Sequence, residues 1–179
     1  MGGVFWNGVI RGLHSGIVRQ PARLLAVAAA LGILLSAAAV LTARQQEALT
    51  LVNDARADRH YRAETGGRAA PLRWNAAVAE VARRHSQQMA RAGRLTHLGD
   101  DGLNLGDRLH QAGVTWSRVG ENVAMASSIA QAEAMLMAEP PFQPNHRANI
   151  LDRHFTQIGI GIAVSPGGLL YITEDFLAP

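Results

Sequence analysis

The chain has 179 residues with 17 basic against 14 acidic side chains, enough for one domain with a single core plus an appendage. Lysine and cysteine are both absent. That excludes disulfides, thiolate nucleophiles, cysteine-based zinc sites, lysine Schiff bases and the phosphate-loop lysine. Arg11, Arg19 and Arg23 precede all 14 acidic residues, and from Arg44 onward the charges balance, so the basic total does not point to nucleic acid.

Residues 1–23 form a basic N-terminal segment. The run LLAVAAALGILLSAAAVL, residues 24–41, carries no charge. At ~1.5 Å per residue it reaches roughly 27 Å, just short of the ~30 Å hydrocarbon core of a bilayer. Residues 24–43 therefore read as a transmembrane anchor or a signal peptide. In the first case the preceding arginines hold the N-terminus in the cytoplasm; in the second, the small residues around Ser36 mark a cut. Either parse leaves residues 44–179 outside the cytoplasmic membrane, tethered or secreted.

The exported part opens on a helix with Leu49, Val52 and Ala55 or Arg56 at helical spacing, stopped by Gly66 and Gly67. A second helix runs from about Asn75 to Ala92, with Gly93 as its C-terminal stop. Val78, Val81, Ala82, His85 and Met89 form one stripe on it, which puts His85 inside as a packed core histidine. After a turn-rich stretch and a short helix over 107–111, RVGENVAMAS reads as a strand. Alternation then gives Ser117, Val119, Glu121, Val123 and Met125 one face, with a carboxylate in an apolar row. A helix from about Ser128 to Glu139 ends at Pro140 and Pro141. Glu139 shares that helix's apolar side with Ile129 and Leu136, in the last turn, where the macrodipole disfavours an anion. NHRANIL supplies another turn or two of helix, and TQIGIGIAV, Pro-Gly-Gly and LLYITEDF close the chain as a β-hairpin. In the first hairpin strand Gly159, Gly161 and Ala163 make a smooth face that a helix can approach closely. Helices before and between strands predict an α+β sandwich.

A buried carboxylate is tolerable when it faces an imidazole or a metal. Two histidines stand at element ends, His97 in RLTHLGD and His154 in RHFTQIG. If the strand phase extends back from Ile158 and Ile160, His154 points inward with them. His97, Glu121, Glu139 and His154 are thus the candidate site, a hydrogen-bonded set or the cradle of one divalent ion.

RRHSQQMARAGRLTH, VGENVAM, NHRANIL, RHFTQIGIGIAV and YITEDF stand in an order that resembles the CAP superfamily of cysteine-rich secretory, antigen-five and pathogenesis-related proteins, in its cysteine-free bacterial branch. The likeness covers residues 47–176. It implies an α-β-α sandwich with a small antiparallel sheet and a central cleft holding two His and two Glu, carried by motif onto His97, Glu121, Glu139 and His154. It also implies a bound divalent metal such as Zn2+, with His97 and His154 the leading ligands, and a small-molecule, lipid or peptide ligand. Leu136 stands where bacterial relatives have Trp, PPFQP around Phe142 is inserted, and Arg153 replaces a glycine and could narrow one rim of the cleft.

Three functions follow as expectations. A metal- and ligand-binding module leads; a metal-assisted peptidase- or esterase-like hydrolase and a non-catalytic envelope interaction protein are the alternatives. His146 reads as a helix-start residue and Asn122 as a satisfier of backbone near the strand end. Arg108 reads as a partner for an acid or a carbonyl. Asp100, Asp101 and Asp107 read as solvated turn acids, since they lack the ligand spacing of a calcium loop.

Overall fold

The structure, a computed structural model, describes residues 41–67 and 69–179. The basic segment and nearly all of the anchor or signal segment expected at 24–43 lie outside the described residues. Among those described, no helix is long and apolar enough to cross a membrane.

Helix α1 spans Ala43–Ala57 and starts at Thr42, whose side chain exchanges hydrogen bonds with Gln45 in a capping box. Its inner face buries Ala48, Val52 and Arg56. It does not run on to Gly66. Asp58 ends it by turning its carboxylate onto the His60 N–H, which starts a single 3-10 turn, Arg59–Tyr61. Strand β1 (Arg73–Trp74) precedes α2 (Ala76–Ala92), which is capped by Asn75 and stopped by Gly93 at φ 67°. Then come α3 (Leu105–Gln111), β2 (Arg118–Ala126), α4 (Ile129–Met137), α5 (His146–Leu151), β3 (Gln157–Val164) and β4 (Leu170–Ala178).

The four strands lie in the order β1-β3-β4-β2. The three long neighbours pair antiparallel, and the two-residue β1 adds a parallel edge to what the sequence suggests is a purely antiparallel sheet. Ile158, Ile160, Ile172, Phe176 and Ala124 face α1, α4 and α5 in the larger core. The other face packs Leu177, Val123 and Tyr171 against α2 and α3. Gly159 and Gly161 lie directly on the α2 backbone: a methyl group on either would collide with main-chain atoms of Ala79 or Ala82. That is the smooth strand face expected from the sequence, and the result is an α-β-α sandwich.

Arg56 locks one end of the layers together. It is 2% exposed, and its guanidinium donates to the carbonyls of Ala70, Ile150, Asp152 and Phe155 at 2.7–3.1 Å. The turn it pins, residues 150–155, carries Asp152, Arg153 and His154 to the mouth of the cleft described next.

Candidate functional site: two braced imidazoles in a cleft beside the edge strand

Strand β2 is the free edge of the sheet, and beside it opens a cleft of about 1000 Å³. His97, Glu121, Glu139 and His154 all line it, and so does His146.

Glu121 enters from β2 on the face that meets α2, and its side chain is 5% exposed. Three neighbours stabilise a carboxylate in that position. Arg108, from α3, donates to one oxygen, His97 Nδ1 donates to the other at 2.8 Å, and the buried His85 Nε2 stands 3.9 Å away. Arg108 also donates to the carbonyls of His97 and Leu103 at 3.0 and 3.1 Å, so it fixes the loop that delivers His97. The bond to Glu121 holds the His97 imidazole above its ordinary pKa, against the opposing effect of partial burial. Across the sheet Asp175 is in register with Glu121, fully buried, with neither carboxyl oxygen bonded to a donor. Burial first, and the charge on Glu121 next, push its pKa well above the ordinary aspartate value.

Glu139 does not sit in the last turn of a helix as the periodicity suggests. Helix α4 ends at Met137 with Ala138 as its C-cap, and Glu139 follows just beyond it. Its oxygens accept from the His146 backbone N–H at 2.8 Å and from His146 Nδ1 at 2.7 Å. Partial burial pushes this carboxyl up, but the bonds from His146 outweigh it and hold the pKa below the usual range. The Pro-rich loop between them is closed by Asn145, whose amide donates to the Pro140 carbonyl at 2.8 Å and whose oxygen caps α5.

The two pairs meet. The rings of His97 and His146 stack with centroids 6.0 Å apart and planes inclined by 24°. His154 is engaged elsewhere: β3 begins only at Gln157, and Asp152 turns the chain before it. The Asp152 carboxylate accepts from His154 N–H at 2.9 Å and from Nδ1 at 2.7 Å, while its second oxygen takes Arg118 at 2.8 Å. His154 is thus a rim residue hydrogen-bonded to Asp152, and His146 holds the place beside His97. Arg153, also on the rim, reaches Gly66 O at 3.0 Å and ties the facing lip.

The signal for His146 lay in its position at the start of a helix, a short proline-rich loop after Glu139. Below the site, Asn122 is fully buried. Its amide donates to His146 O at 3.1 Å and Glu174 Oε2 at 3.0 Å, and its oxygen accepts from Asn149 at 2.9 Å.

Each carboxylate takes the Nδ1–H of its histidine, which leaves Nε2 as the lone-pair nitrogen. Neither Nε2 has a protein hydrogen-bond partner among the described residues. Two imidazoles, each braced by a carboxylate, thus stand beside one another in the cleft. Among the described residues no three His, Asp or Glu side chains are gathered closely enough to hold one ion. Of the four residues expected from the sequence, His97 and Glu121 bond to each other, Glu139 bonds His146, and His154 bonds Asp152.

Comparison with known proteins agrees with this architecture. The family model described as the cysteine-rich secretory protein family matches residues 49–176. A membrane protein of Bacillus subtilis, YlbC, is 30% identical over 110 residues, covering 60% of this chain and 29% of that protein. The chain therefore spans under a third of its curated relative. An extracellular SCP-domain protein of Bacillus anthracis superposes with a TM-score of 0.58 at 24% identity, over 78% of this chain and 45% of that one. An outer surface protein of Borrelia burgdorferi gives 0.58 at 14% identity, over 73% and 92%. At these identities the superpositions bear on fold alone.

Proposed function

The chain belongs to the cysteine-rich secretory protein family, and on that premise we propose that its folded domain is an extracytoplasmic binding module whose cleft takes a divalent cation, such as zinc, between His97 and His146. The observation that carries this reading is the pair of carboxylate-braced imidazoles stacked 6.0 Å apart in an open cleft. Zinc accepts imidazole nitrogen readily, and a carboxylate on the far nitrogen fixes the ring and raises its basicity. When bound, the ion offers coordination positions to a ligand from solvent. The cleft wall adds the side chain of Phe142, 75% exposed, and of Gln143 beside it, a mixture suited to a peptide. Binding is favoured over hydrolysis because both acids are committed: Glu121 to Arg108 and His97, Glu139 to His146. Neither is free to serve as a general base toward water. The extracytoplasmic placement rests on the apolar run at 24–41, read as a tether, and is supported by a relative that is a membrane protein.

Zinc titration of the full-length protein by calorimetry tests the site. We expect one zinc per chain, with affinity reduced about tenfold or more by His97→Ala and by His146→Ala and unchanged by His154→Ala. Loss of zinc on His154→Ala with His146→Ala silent overturns the assignment.

A further inference from the structure

The cleft occupies one end of the sheet, and the opposite end has a surface of its own. Strand β2 starts beside the C-terminus of β4 and ends at Ala126 opposite Leu170, and β3 ends at Val164 opposite the same residue. Helix α2 runs alongside β3, Ala79 on Gly159 and Ala82 on Gly161, so its C-terminal residues reach the β3–β4 turn. There Gln87, Ala90 and Arg91 of α2 and residues 163–166 enclose a depression of about 610 Å³. Helix α1 runs the other way: Arg56 bonds Phe155 O before β3, and Gln45 bonds Ile160 O within it. Thr42, where the apolar run hands over to the domain, is therefore directed to the same end as the turn.

This end is apolar at its tip and basic around it. Val164 is 53% exposed, Leu169 39% and Met125 38%. Single exposed apolar residues need no explanation; three at the end where the chain enters the domain do. Segments 41–47, 87–95, 124–128 and 162–170 carry Arg44, Arg91 and Arg94 against one acid, Glu47, and Arg91 lines the depression itself. Exposed apolar side chains on segments that carry arginines are the composition that seats at a lipid headgroup boundary.

We propose that the β3–β4 turn, with Arg44, Arg91 and Arg94 around it, docks on an anionic membrane surface and holds the cleft facing away from the bilayer. The proposal rests on the tether reading of residues 24–41.

The absence of native cysteine makes a single-site label clean. The full-length Val164→Cys chain, carrying an environment-sensitive fluorophore, is reconstituted into vesicles with or without phosphatidylglycerol; Phe142→Cys at the cleft mouth is the control. We expect co-flotation in both lipids, and in phosphatidylglycerol vesicles a blue shift and quenching by lipid-borne quencher at 164 but not at 142. High salt should weaken the shift, and Arg91→Gln with Arg94→Gln should weaken it by about fivefold per charge. Flotation with both labels equally wet overturns docking and leaves the tether standing. An equal shift in pure phosphatidylcholine overturns the anionic assignment. Failure to float overturns both.

Discussion

Glu121 shows how one residue can be charged inside a fold. Its two oxygens are shared between a guanidinium that is itself 9% exposed and an imidazole, so the group with which it pays for burial is also the group that positions the cleft. Removing it strands Arg108, and an uncompensated buried charge costs about 3–5 kcal/mol. Glu121→Ala is accordingly expected to lower the unfolding free energy read from urea denaturation by an amount in that range, while His97→Ala, at a half-exposed ring, changes stability far less. The pH behaviour follows from two shifts of opposite kind. His97 has a raised pKa in the fold, so its bond to Glu121 stabilises fully below the ordinary imidazole value and fades as pH rises through the folded value. Glu139 has a lowered pKa, so its pairing with His146 stabilises above the ordinary carboxylate value and is lost as pH falls through the folded one. The cleft is best ordered between these limits. A proton NMR titration should put the His97 midpoint above that of a free imidazole, and Glu121→Gln should return it toward that value; a midpoint unmoved by the substitution would mean that the carboxylate does not brace the ring.

At the scale of elements, the parts of the fold that follow from local rules were legible in the chain. Asn75 and Gly93 delimit α2 as expected, the stripe ending at Met89 is buried, and the hairpin closes with Gly168 at φ 84°. The glycine face of β3 was readable because a strand that alternates isoleucine with glycine must admit something close on its bare side. Gly161→Ala is expected to destabilise the domain by about 3 kcal/mol or more, since neither backbone can yield, measurable as a lower melting temperature; a neutral effect would mean that α2 can slide. What failed was the extension of periodicity past element ends. The α1 stripe was carried through Asp58, whose side chain competes with helix by taking the His60 N–H. The β3 phase, extended back from Ile158 to His154, fails because the strand starts only at Gln157 and the Asp152 carboxylate takes the His154 N–H. The α4 stripe was carried on to Glu139, beyond the end of the helix. In the first two cases the neighbours in sequence suggest continuity and one side-chain bond breaks it. His97 and Glu121 could be found by burial logic and by motif. His146 could not, because its partner comes from the far side of a proline-rich loop and only closure of that loop by Asn145 brings the two together.

Across the whole molecule, the cleft is continuous with a buried polar path through the sheet. Glu133 on α4 faces Glu174 on β4, Glu174 bonds Asn122, and Asn122 bonds the carbonyl of His146. Glu174 stands in the same alternation as Ile172 and Phe176, the pattern that singled out Glu121, so it too was available from the sequence. Burial first, then the charge of Glu174, push the Glu133 carboxyl up to about 11, and burial raises Glu174 as well. An acid with a raised folded pKa keeps a proton that the unfolded chain releases above about pH 4.3. The folded state then binds more protons than the unfolded one, so stability falls as pH rises, by up to about 1.4 kcal/mol per unit for each such proton, until the folded value is reached. Asp175 acts in the same direction. Urea denaturation between pH 6 and 9 should therefore show a steady loss of stability toward the alkaline side. Glu133→Gln keeps the shape and a donor for Glu174 but holds no titrating proton. The variant should show a shallower slope and exceed the parent by about 2 kcal/mol or more at pH 9. If parent and variant run parallel across that range, Glu133 is ionised in the fold, and α4 must then be held over a pair of buried charges.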